Sequence, residues 1–170
     1  LYFSYAKANK EPNRTDFENG VPMSESLDDI ELGWRVKTSK VAFNTNFYLM
    51  YYKNQLLKTG ELDAVGNEIR ANVDKSYRIG IEIDAKIKLG SKMSFSPNIT
   101  LSTNKIIDYT VDTGIGLVNY GTTNIAFSPN LIAGGVFSYQ PISALQLSLL
   151  NKYVGNQFAG NFDTEITKLK

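Results

Sequence analysis

Neither cysteine nor histidine occurs in the 170 residues, and the two absences close off much chemistry. Without cysteine there is no disulfide framework, no thiolate metal site and no thiol nucleophile. Without histidine the Ser-His-Asp and Cys-His arrangements, the His-Glu-x-x-His zinc motif and most transition-metal sites are also excluded. Long apolar runs are missing too. The longest, Phe47 to Tyr52, is far short of the roughly 18–20 residues a membrane-spanning helix needs, so any crossing of a membrane has to be made by strands. Charge of one sign is not concentrated anywhere. The 18 Lys and Arg and 17 Asp and Glu residues are interspersed and leave a net charge of +1, so a surface that tracks nucleic-acid phosphates is not expected. No basic segment precedes an apolar one at the start, where Leu1-Tyr2-Phe3-Ser4-Tyr5 already reads as a strand; a signal peptide, if the protein has one, is expected upstream of this segment.

What the sequence has in abundance is alternation of period two. Tyr77, Ile79, Ile81, Ile83, Ala85, Ile87 and Leu89 alternate with Arg78, Gly80, Glu82, Asp84, Lys86 and Lys88, the signature of a strand with one greasy and one charged face. Val41 to Tyr51 and Met93 to Thr103 repeat the design, the latter with an interior Pro97 that warns of a bulge or a break in its ladder. Over 28–37, Ser26-x-x-Asp29 imitates a helix cap, but the helical stripe is interrupted by Glu31. A strand sorts Ile30, Leu32, Trp34 and Val36 cleanly from Glu31, Gly33, Arg35 and Lys37, so strand is the better reading. Leu145, Leu147, Leu149 and Tyr153 form another apolar row, and Ile125, Phe127, Leu131, Phe137 and Tyr139 a longer, less regular one.

The strands predicted are 1–9, 28–37, 41–53, 76–88, 93–104, 122–139 and 145–155. The connections then alternate: long polar segments at 10–27, 54–75 and 105–121, tight turns at 38–40, 89–92 and 140–144. In an antiparallel up-and-down meander this puts every long loop at one rim and every tight turn at the other, the arrangement of outer-membrane barrels. Alternation alone does not separate a lipid-facing barrel from a soluble β-sandwich that buries its apolar face. Aromatic placement favours the barrel. Tyr5, Tyr51, Tyr77 and Tyr153 stand near the long-loop rim of the apolar face, and Trp34, Phe43, Phe95 and Phe137 near the other. Two such girdles flank an apolar band about 25 Å tall in bacterial barrels. Glu31, Arg35, Arg78, Glu82 and Asp84 are expected on the opposite face, toward a watery lumen.

Several stretches resemble one family. Ser4-Tyr5-Ala6-Lys7-Ala8-Asn9-Lys10-Glu11-Pro12-Asn13-Arg14-Thr15-Asp16-Phe17 is similar to a strand and loop late in TonB-dependent outer-membrane receptors of Bacteroidetes-like bacteria. Ser24 to Trp34, with its Glu31-Leu32-Gly33, resembles the family's Pro-Glu-x-x-x-x-x-Glu-Leu-Gly stretch, Ser24 standing for the proline. Further matches are Phe47 to Leu56, Ser76 to Glu82, Phe127 to Asn130 and Lys152 to Gln157. The resemblance implies an all-β fold in which residues 1–170 supply about seven strands, from the C-terminal half, of a transmembrane barrel of about 22 strands. It also implies that the plug domain and the final strands lie elsewhere in the full-length chain. Function follows from the same resemblance: uptake of a scarce ligand across a bacterial outer membrane, with ferric siderophores the first cargo class. Coupling would run through TonB, which contacts the absent N-terminal region; the other partners are the plug and outer-membrane lipid. No enzyme activity, cofactor, metal or nucleic acid is expected. The alternatives are a soluble carbohydrate-type sandwich and a small closed outer-membrane barrel.

Other motifs carry little. Ser4-x-x-Lys7 and Ser102-x-x-Lys105 match a penicillin-binding element, but residues three apart in a strand point to opposite faces. Gly114-Ile115-Gly116 lacks the context of a dinucleotide fingerprint, and the acidic pairs Asp108 and Asp112 or Asp163 and Glu165 read as solvated loop carboxylates. Ligand recognition is expected on the long loops, where Arg14, Asp16, Phe17, Tyr109 and Tyr120 offer charge and stacking surface.

Overall fold

The computed structural model describes residues 1–169. Its strands are β1 (Tyr2–Lys10), β2 (Glu25–Lys37), β3 (Val41–Leu62), β4 (Glu68–Lys88), β5 (Met93–Ile107), β6 (Thr110–Asp112), β7 (Leu117–Asn119), β8 (Thr123–Asn124), β9 (Leu131–Ile142), β10 (Leu145–Val154), β11 (Gln157–Phe158) and β12 (Lys168–Leu169). A 3-10 turn of helix covers Arg14–Asn19. The main sheet runs β1-β2-β3-β4-β5-β9-β10, every pair antiparallel and every neighbour next along the meander. Among the described residues β1 and β10 do not pair with each other, so the sheet is open and not a small closed barrel.

Register turns the alternation into rows that cross the sheet. One row runs Phe3, Leu32, Phe47, Ile81, Leu101, Leu131. Another runs Trp34, Thr45, Ile83, Ile99, Ala133, Tyr153. These side chains share one face because period-two side chains on register-matched strands must. No second sheet or helix covers this face among the described residues: Phe47 is 51% exposed, and Ile79 and Leu101 are each 48% exposed. A soluble sandwich would bury that face as its core; here the buried apolar residues among those described number only five, none of them in either row.

Pro97 behaves as its chemistry demands. The β4–β5 ladder passes from Asp84↔Asn98 to Ile87↔Phe95 with the intervening pairs absent, while Pro97↔Gly135 pairs normally with β9. The missing N–H therefore costs a local break and no register slip. On the opposite face the approach of strands is close at Gly80, where a Cβ would lie 2.6 Å from both the Leu101 carbonyl and the Tyr48 hydroxyl. The Tyr48 ring covers the space a side chain would take.

Three predicted segments differ, the least of them the expected loop 105–121, which holds the short β6–β7 hairpin. Residues 54–75, expected as a loop, are strand nearly throughout: β3 and β4 continue to Leu62 and Glu68, and Asp63–Asn67 closes the hairpin. At about 3.3 Å per residue, the 22 residues of β3 run far beyond the 9–11 or so that a tilted membrane strand needs. Residues 122–130, expected as the start of a long strand, hold only the short β8 before β9 begins at Leu131. Phe127 stands at φ 52°, a left-handed conformation outside the extended range of a strand, and it bonds to Phe158 instead of a main-sheet neighbour, so Ile125 and Phe127 leave the apolar row. Asp28–Lys37 is strand, as expected.

Candidate ligand-binding site at the long-loop rim

The site begins with one residue. Asn54 adopts φ 53°, which reverses the facing of the chain beyond it. Below Asn54 the even residues of β3 share the polar face with Gly80 and Glu82. Above it Gln55 takes that side, accepting the Ser76 hydroxyl at 2.6 Å. Leu57 and Val73 follow and meet Ile106, which stands opposite Ser76 on β5. The result is a small core at the rim: Val73, Ile106, Tyr109 and Ile125, with Leu57, Val111 and Phe162 packed against it. Ile106 is 0% exposed.

The segment 157–169 folds over this core and is fastened by Asn161, 1% exposed. Its side-chain amide donates to the Lys58 carbonyl at 2.9 Å and its oxygen accepts the Ala126 amide at 2.9 Å. Two backbone groups of distant segments thus find their partners in one buried side chain. Asp163 accepts the Asn124 amide at 2.8 Å and lies 3.7 Å from Lys105. Between the hairpin, β6 and this segment opens a cleft of about 670 Å³, lined in part by Leu57, Arg70, Tyr109, Asp112, Asn161 and Phe162. Two rings wall it, Tyr109 and Phe162, 5.6 Å apart centre to centre, and Tyr120 packs edge to face against Phe162 at 4.8 Å. Burial raises the Tyr109 pKa above that of an ordinary phenol, against the opposing effect of a hydrogen bond with Asn161, so the ring carries a neutral donor hydroxyl at physiological pH.

Of the five loop candidates, Tyr109 lines this cleft and Tyr120 stands beside it, its ring 6.3 Å from that of Tyr109. Arg14, Asp16 and Phe17 stand apart on the 3-10 turn, where Asp16 closes a capping box: its carboxylate accepts the Asn13 amide at 2.8 Å while Asn13 accepts the Asp16 amide at 3.1 Å. A smaller hollow of about 180 Å³ there is lined by Asn13, Asp16, Asp63 and Arg70. Arg70 borders both spaces. The loop that carries the turn is tied to β4 by Asn72, which accepts the Met23 amide at 2.7 Å and donates to the Asn54 carbonyl at 2.6 Å. Arg70, Asn161 and Phe162 were not anticipated from the sequence; nothing in their spacing marks them.

The polar face holds Glu31, Arg35, Arg78, Glu82 and Asp84 together, as register requires. Asn44 donates to Asp84 at 2.8 Å, Tyr2 donates to Asn46 at 3.0 Å, and the Arg35 and Arg78 guanidinium groups lie over the rings of Tyr2 and Tyr52 at 5.2 and 5.4 Å. Tyr2, Arg35, Glu82 and Asp84 line a polar hollow of about 400 Å³. On the other face Tyr5, Trp34, Phe43, Tyr51, Tyr77, Phe95, Phe137 and Tyr153 fall on one side of the sheet, with Trp34 and Phe43 edge to face at 6.1 Å.

The fold recurs in solved structures. Over 98% of its length the chain superposes on the ferric yersiniabactin uptake receptor FyuA from Yersinia pestis, with TM-score 0.69 and 17% identity. The copper transporter OprC matches over 99% of the chain with TM-score 0.69 and 13% identity. The FrpB iron transporter from Neisseria meningitidis (F3-3 variant) matches over 92% with TM-score 0.62 and 13% identity. In each case the match takes up 24% of the other chain. The fold is therefore that of a seven-strand section of these proteins, and the resemblance drawn from the sequence holds at the level of fold. No family model and no curated protein matches the sequence.

Proposed function

We propose that this chain is a section of the β-barrel of a bacterial outer-membrane receptor that takes up a scarce ligand, and not an enzyme. The observation that carries the reading is the uncovered apolar face that crosses seven strands between aromatic edges, a surface that suits hydrocarbon and not water. Residues 1–170 belong to one barrel domain. The polar face with Arg35, Glu82 and Asp84 turns toward a lumen, where a plug domain of the same polypeptide packs against it.

The cargo is a metal chelate, a ferric siderophore first among them. Two features support this: the three similar structures are a ferric yersiniabactin receptor, a copper transporter and an iron transporter, and the rim cleft offers aromatic walls beside Arg70, surfaces that stack conjugated rings and pair with carboxylate groups. Tyr109, Tyr120 and Phe162 contact the ligand. Transport is driven through TonB by the inner-membrane proton gradient. The test is uptake of radiolabelled ferric chelates by cells with and without the intact protein, and with a protonophore. The reading predicts uptake that requires the protein, stops with the protonophore, and weakens at the binding step in a Tyr120→Ala, Phe162→Ala double variant. Uptake that persists without the protein, or with the gradient collapsed, would contradict it.

A further inference from the structure

On the apolar face the ladder continues past the tyrosine pair Tyr51↔Tyr77 to Lys53↔Lys75. Two residues further along each strand means the same face, roughly 6.6 Å nearer the long-loop rim. These lysines stand directly opposite each other, and both are exposed. Like charges in that position are mutually destabilising, and no ion pair among the described residues takes up either of them. The ion pairs there are Lys7 with Asp28, Lys10 with Glu25, Lys58 with Glu68, Lys105 with Asp163 and Lys168 with Glu165. Neither Lys53 nor Lys75 takes part, and the neighbouring Asp74 pairs with neither. Asp28, the carboxylate on the adjoining row, lies within electrostatic reach of Lys53 but forms its contacts with the Tyr5 hydroxyl at 2.7 Å and with Lys7 at 3.7 Å.

We propose that Lys53 and Lys75, with Lys7 beside them, hold a phosphate group of an outer-leaflet glycolipid. The proposal rests on the membrane reading above. If the apolar face meets acyl chains, tyrosine rings mark the boundary with the headgroups, and two cations just beyond that boundary lie at the level of lipid phosphates. An anion between them converts a repulsion across the ladder into two charge-assisted contacts.

The experiment places the intact protein in lipid nanodiscs of phosphatidylcholine containing either bisphosphorylated or dephosphorylated lipid A, and counts retained lipid A by native mass spectrometry. Wild type is expected to retain the bisphosphorylated form selectively. A Lys53→Gln, Lys75→Gln double variant should retain less by roughly tenfold or more, whereas Lys86→Gln with Lys88→Gln, on the opposite face, should match wild type. Equal retention by wild type and the Lys53, Lys75 variant, both inserted and protease-protected, would overturn the headgroup site and leave the barrel reading standing. Failure of wild type to insert would overturn both.

Discussion

Ile106→Ala tests whether the rim is a folded unit in its own right. Ile106 is fully enclosed by Val73, Tyr109 and Ile125, so truncation removes three buried carbons at about 0.8 kcal/mol each and leaves a cavity besides. The expected loss is about 2–5 kcal/mol. The main sheet does not share it, because its strands are joined by their own ladders and only the cluster leans on this side chain. Hydrogen exchange on the intact protein in detergent separates the two. Amides of Tyr109, Ile125 and Ala126, which bond to Gly121, Asn104 and Asn161, should exchange at least about thirtyfold faster, since each 1.4 kcal/mol of opening energy is a factor of ten. Amides over 77–87 should keep their rates. Unchanged protection at Ile125 and Tyr109, or acceleration spread evenly into 77–87, would refute the reasoning.

Asp63 nucleates the hairpin tip: one of its oxygens accepts the Val65 amide at 2.9 Å and the Asn67 amide at 2.8 Å. Those bonds, led by Asn67, lower its pKa below the ordinary carboxylate value. A depressed folded pKa stabilises above the unfolded pKa and is lost as pH falls through the folded one. The tip should therefore be ordered at neutral pH and loosen only below the usual carboxylate range, read from the Val65 and Asn67 amide shifts; titration at the ordinary carboxylate value would contradict this. Gly80→Val forces a Cβ against the Leu101 carbonyl and the Tyr48 ring and should cost about 1–3 kcal/mol in denaturant midpoint. Gly20→Ala, where nothing lies within 4 Å, should be near neutral.

The main sheet was legible because its information is local. Each strand from Val41, Tyr77 or Met93 carries its own alternation, and a tight turn pins the register of the next. The rim was not legible, for the opposite reason. Asn54 reverses facing within β3, so Leu56 and Leu57 stand side by side in sequence and read as a broken pattern, although each is placed by strand geometry. Phe127 ends a run of apolar residues by backbone conformation alone. Asn161 acts through a carbonyl 103 residues away, a contact that no window of sequence contains. Of the five loop residues chosen for charge and stacking, only the two tyrosines meet in one aromatic cluster, and only Tyr109 lines the cleft, because the chain distance between Arg14 and Tyr109 says nothing about which loops fold together.

Cysteines placed singly from Ile79→Cys through Asp84→Cys and spin-labelled, in the intact protein in liposomes, address the claim on which the function rests. Collision rates with oxygen, which partitions into lipid, should be high at 79, 81 and 83, and those with a water-soluble nickel chelate high at 82 and 84. Labels at 79, 81 and 83 shielded from both reagents would mean that protein, not lipid, covers the isoleucine row.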